Sequence, residues 1–164
     1  MPLSDLTYKI AAKSVVKDFN YDEIVDWSVD MLTRGYESPS LLILSSFSKP
    51  VNQFEVNDYL KKSFEELNLS FIQGEDAKIS YAKYLIIKIS EKSCVENNLN
   101  TLCGFFDYQN ETLNMKEFNF LKWAWGDLSY GNKYQDYWPE ATLDTIEHIV
   151  VEKANKWVQN NIKN

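Results

Sequence analysis

The sequence predicts an all-α protein: a compact bundle of about six or seven helices, with paired helical hairpins as one way of arranging them. Apolar residues recur at helical spacing along most of the chain, and Gly, Asn and Ser-Pro signals fall where those stripes begin and end. Only five Gly and four Pro are available to punctuate 164 residues. A sandwich or barrel of many short strands needs more turn-formers than that. The length and a hydrophobic fraction of 45% suffice to bury a core without disulfides or metal. No linker, low-complexity run or composition break divides the chain, so a single helical domain over 1–164 is expected.

Each element has its own local justification. Ser4 to about Lys17 is expected as a short helix with Leu6, Ile10 and Ala11 on one face. Asp22 to Arg34 carries Ile24, Trp27 and Met31 at helical spacing, and Gly35 follows as a stop. Ser38 before Pro39 reads as an N-cap with proline at the first helical position, leading into the buried run Leu41 to Leu44. Beyond Pro50, Asn52 and Glu55 form a capping arrangement for a helix to about Leu67, with Val56, Leu60, Ser63, Phe64 and Leu67 inward. Gly74-Glu75-Asp76 opens another, in which Ile79, Ala82, Ile86 and Ile89 share a face. A further element spans roughly Val95 to Tyr108, and Phe118, Leu121, Trp125 and Leu128 keep near-helical spacing after it. In the last helix Asp144 with Glu147 offers a cap, and Leu143, Ile146, Val150, Ala154, Trp157 and Val158 form the inward stripe.

One internal echo stands out. Trp27, Leu32, Thr33 and Gly35 recur as Trp123, Leu128, Ser129 and Gly131 at identical offsets, while the flanking residues do not stay in register. A repeated way of ending an amphipathic helix with Gly explains this more simply than a duplicated hairpin.

Charge and cysteine usage bound the partners. A net charge of −7 repels nucleic-acid phosphates, and the lysines are dispersed rather than gathered into a run that would dock on anionic lipid. A basic protein partner would be attracted. No apolar run approaches the length of a membrane span, the start MPLSDLTYKIAAK lacks a signal-peptide pattern, and a cytoplasmic protein is expected. The sequons at Asn68 and Asn110 then carry no glycosylation inference. Cys94 and Cys103 match neither a redox nor a zinc spacing and read as reduced, partly buried thiols.

Motifs of catalysis are lacking. His148, with Glu152 one turn later, has no second histidine at ligand spacing and reads as a solvated helix residue. Ser45, Ser46 and Ser48 lie outside any nucleophile elbow, and the glycines form no phosphate loop. No catalytic residue, cofactor or metal is assigned.

The functional signal lies in FLKWAWGDLSYGNKYQDYWPEA, residues 120–141. After Gly131 the period breaks and Pro139 limits helix continuation, so an aromatic-rich loop is expected before the last helix. Trp123, Asp127, Tyr130, Tyr134, Asp136, Tyr137, Trp138 and Glu140 form the candidate partner-binding surface, since Tyr and Trp give large, stiff contact area with a polar handle. The leading expectation is a small soluble protein-binding module, in one form an immunity or antitoxin-like inhibitor of a basic partner. Two alternatives compete with it. One is a hydrolase using Asp127, Asp136 or Glu140 in an aromatic-lined site; the other is a structural helical subunit. The competing structural expectation for the loop is that Tyr137 and Trp138 fold back as a lid.

Overall fold

The computed structural model describes residues 2–109 and 113–162, so the Asn110 sequon lies outside the described residues. These form α1 (Leu6–Ala11), a 3-10 turn (Lys13–Val15), α2 (Glu23–Thr33), α3 (Pro39–Ser45), α4 (Gln53–Glu66), α5 (Gly74–Ser90), α6 (Val95–Phe105), α7 (Lys116–Ser129) and α8 (Ile146–Asn161). Among the described residues there is no strand, and the protein is all-α. The chain divides into two compact units, Met1–Tyr81 and Ala82–Asn164. That boundary falls inside α5, where an unbroken helical pattern offers none of the Pro, Gly or Ser enrichment that marks a linker in sequence.

In the first unit α1 packs on α2, α2 on α3, and α3 on α4. Their buried stripes, among them Ile10, Ile24, Trp27, Met31, Leu41, Leu60 and Phe64, meet in one core. Trp27 is wholly buried, and its indole N–H donates to the Thr7 hydroxyl at 2.9 Å. Phe64 lies 5.4 Å from the Trp27 ring and stacks on Phe71 at 4.4 Å. Two helix starts are capped as their residue types favour, at α3 and α4. The Ser38 hydroxyl accepts from the Leu41 N–H with Pro39 at the first position, and the Asn52 side chain accepts from the Phe54 N–H. A longer-range cap joins them: Glu66, at the end of α4, accepts from the Ser40 N–H at 3.1 Å and the Ser40 hydroxyl at 2.7 Å.

The expected helix from Ser4 to Lys17 is shorter. It ends at Ala11, whose carbonyl accepts from the Ile72 N–H at 2.9 Å, and a 3-10 turn follows before Val16 becomes extended. A tertiary partner has taken the acceptor at Ala11, and β-branched Val15 and Val16 favour leaving the helix.

In the second unit α6, α7 and α8 each touch the other two. Leu99 and Leu102, then Phe118, Leu121 and Ala124, then Ile146, Val150 and Ala154 are the buried stripes. Two buried polar side chains of this unit find backbone partners: Asn119 donates to the carbonyls of Phe106 and Met115, and the Trp157 indole donates to the Leu113 carbonyl at 2.9 Å. The start of α8 departs from the expected cap. Thr145 occupies the N-cap position with no side-chain cap bond, its hydroxyl accepting instead from the Thr142 N–H. Leu143, placed by periodicity on the inward stripe, precedes the helix and is 58% exposed. Ile79 is half-buried, while Ala82, Ile86 and Ile89 are buried as their spacing implies.

The echoed segments end in the same way. Gly35 and Gly131 have φ of 90° and 89°. In each case the glycine N–H and the next N–H bond back into the last turn: Gly35 to Leu32 and Tyr36 to Met31, Gly131 to Leu128 and Asn132 to Asp127. This is the Schellman closure that a residue without Cβ adopts most easily. The likeness stops there, since Trp27 is sealed in a core and Trp123 is half-exposed.

Candidate functional site

The site grows from facing stripes of α6 and α7. Trp123, Gly126 and Asp127 on α7 and Tyr130 at its C-cap succeed one another at helical spacing and line a cleft of about 390 Å³. On α6, Glu96, Leu99 and Asn100 fall on one stripe and line the same cleft. Lys122, Trp125, Ser129 and Tyr137 complete its wall. Gly126 lies on this lining with open space beside it: a Cβ there would meet nothing within 4 Å.

Rings surround Trp123. Tyr108 approaches it edge-on at 5.8 Å, Phe120 lies at 5.7 Å one turn back, and Tyr137 reaches it at 5.3 Å from the loop beyond α7. Tyr137 also touches Phe120 at 6.4 Å, and the Lys116 ammonium sits 5.6 Å over the Phe120 ring. Such offset and edge pairs each contribute about 0.5–1.5 kcal/mol beyond area burial. The cluster therefore stiffens the α7 surface and ties the following loop to it.

The loop itself is held by a residue that hydropathy does not single out. Gln135 is buried; its amide nitrogen donates to the Trp138 carbonyl, and its amide oxygen accepts from the Trp138 N–H at 2.7 Å. Trp138 is half-buried, with the Lys153 ammonium 5.1 Å over its ring. Lys153 in turn bonds Glu117 at 2.7 Å. Tyr134 in this pinned loop and Tyr130 at the C-cap of α7 project outward, 90% and 91% exposed, and Tyr137 is 44% exposed.

The predicted residues thus divide by place. Trp123, Asp127, Tyr130 and Tyr137 line the cleft. Tyr134, Asp136 and Glu140 are exposed outside its lining, and Trp138 anchors the loop beside Lys153. Asp127 is joined in the cleft by Glu96 rather than by Asp136 or Glu140. Sequence reasoning missed Tyr108, Phe120, Glu96, Asn100 and Gln135. For Glu96 and Asn100 the stripe shared with Leu99 was a legible signal, but which helix it would face was not.

Other reactive groups stand apart from this surface. Cys94, expected partly buried, is exposed at the N-cap of α6 in a left-handed conformation with φ 43°. Cys103 is half-buried on α6, and burial pushes its thiol up to about 12, with the Lys122 ammonium pulling weakly the other way. His148 is exposed and lies 3.6 Å from Glu152. Among the described residues no group of three or more His, Cys, Asp and Glu is placed to hold a metal ion.

Fold and site together define a class: an all-α protein carrying an aromatic-walled cleft beside a tyrosine-bearing loop. Comparison of the chain with protein-family models, with curated proteins and with solved structures finds no match.

Proposed function

We propose that the protein is a protein-binding module whose contact surface is the aromatic face of α7 and the loop after it. The observation that carries this is the near-complete exposure of Tyr130 and Tyr134 beside a cleft walled by further rings. Two large phenols held out in solvent, one at the C-cap of α7 and one in a pinned loop, contribute little to the core. They suit the centre of an interface, where Tyr and Trp are enriched.

The charge around the patch is mixed. Glu96, Asp127, Asp136 and Glu140 are interspersed with Lys116, Lys122, Lys133 and Lys153 along this part of the chain. The attraction for a basic partner therefore comes from the whole chain at −7, while the patch supplies stacking and paired contacts. An immunity or antitoxin-like inhibitor of a basic protein is the concrete form we favour, because charge steering speeds capture of such a partner. Free thiols at Cys94 and Cys103 suit a reducing compartment, the cytoplasm in this proposal. No helix among the described residues is long and apolar enough to cross a membrane.

Affinity capture from native cells tests the proposal, with the wild-type chain run beside a Tyr130→Ala, Tyr134→Ala double variant. Both residues are exposed, so the variant should melt with the wild type. The expected result is one stoichiometric, basic protein retained by the wild type and lost by the variant, with association slowing as salt rises. Equal retention by both chains, or no stoichiometric partner at all, would overturn it.

A further inference from the structure

We propose that the cleft between α6 and α7 receives the guanidinium side chain of an arginine on the partner, an assignment that rests on the protein-binding proposal above. Rings and carboxylates converge there from separate elements. Trp123 comes from α7, Tyr130 from its C-cap and Tyr137 from the loop, while Asp127 on α7 and Glu96 on α6 stand on the two walls. A volume of about 390 Å³ lies within the range of sites that enclose a small group.

The chemistry of the wall selects the occupant. Ring faces attract a cation through their quadrupole, and they accept a planar one by stacking. Carboxylates pair with the fork of donors on guanidinium, which is also less strongly hydrated than ammonium and so gives up water more readily. Among the described residues Lys122 is the one cation lining the cleft, against two acids. An anionic occupant would meet both carboxylates, and a purely apolar one would leave them desolvated. An arginine satisfies rings and acids together, and it explains why acids and tyrosines share this face.

The helix geometry offers a clean way to close the site. Gly126 lies within α7 with open space where a side chain would begin, so Gly126→Leu fills the cleft without a clash at its Cβ. Gly126→Ala is the control for helix propensity.

Tryptophan fluorescence of the whole chain, titrated with N-acetyl-arginine amide, tests the assignment. The same titration is run with the citrulline analogue, which keeps the shape and loses the charge, and with maltotriose as a neutral sugar. A saturable response to arginine is expected, at least about fivefold weaker for citrulline and for the Glu96→Gln, Asp127→Asn variant, as loss of a cation–π and charge-paired contact implies. Gly126→Leu should abolish the response while Gly126→Ala retains it. Equal responses to arginine and citrulline, a response to maltotriose alone, or none to arginine would overturn the assignment. Such a failure with tyrosine-dependent capture intact would remove only the arginine. Arginine binding without tyrosine-dependent capture would instead remove the protein-binding proposal.

Discussion

Gln135 and Trp138 are joined twice, the side-chain amide of one closing on both the N–H and the carbonyl of the other. This buried clamp fixes the turn that precedes Pro139 and leaves the tyrosines on either side of it facing solvent. Gln135→Ala removes both partners of the Trp138 backbone at once. A loss of about 1–3 kcal/mol in unfolding free energy is expected, the cost of leaving buried polar groups unpaired. Hydrogen exchange over residues 134–140 should accelerate as well. Unchanged protection in that segment would show that the clamp does not hold the loop.

The Thr7 hydroxyl is the acceptor for the buried Trp27 indole. Thr7→Val keeps the shape but strands that N–H in the core, and about 1–3 kcal/mol should be lost. In a Trp27→Phe background, where no indole needs an acceptor, Thr7→Val should cost less. Urea denaturation of the four chains measures the coupling; strictly additive losses would contradict it.

Glu66 is held below the ordinary carboxylate range chiefly by the Ser40 hydroxyl and then by the Ser40 N–H. Folding thus favours its charged form. Its contribution is fully present above the unfolded-state value and is lost as pH falls through the lowered folded-state value. Glu66→Gln should therefore be less stable than wild type at neutral pH, with the gap closing in acid. Thermal melts across that range test this, and a gap that persists in strong acid would refute it.

The two thiols should separate by reactivity. With Cys103 pushed up to about 12 by burial, almost none of it is thiolate near neutral pH, while Cys94 is open to solvent. Iodoacetamide on the native protein is expected to add one carbamidomethyl group, at Cys94, and a second only in denaturant. Comparable native rates at both sites, read by mass spectrometry, would show that Cys103 is not shielded.

Lys92 closes α5 in the left-handed region, φ 61°, where its N–H bonds to Ile89 and the Ser93 N–H to Lys88. A lysine there bears a Cβ cost that glycine avoids, so Lys92→Gly should stabilise the protein, by up to about 1 kcal/mol. A lower melting temperature would count against this.

The residues alone determined the features that a helix settles within its own few turns. Ser38 and Asn52 cap because each acceptor lies within three positions of its donor, and Gly35 and Gly131 stop helices because their φ needs no distant partner. The aromatic, non-helical character of the segment after Gly131 was legible for the same reason. Tertiary structure decided whatever depends on residues remote in sequence. Ile72 ends α1 by claiming the Ala11 carbonyl, and Glu66 caps α3 from the far end of α4. Glu96 and Asp127 line one cleft because α6 and α7 turn particular stripes toward each other. Periodicity names the stripe a residue occupies; packing, which minimises exposed apolar area over the assembled helices, chooses its neighbour. Leu143 belongs to the α8 stripe by spacing yet lies in solvent, because the helix begins only after it.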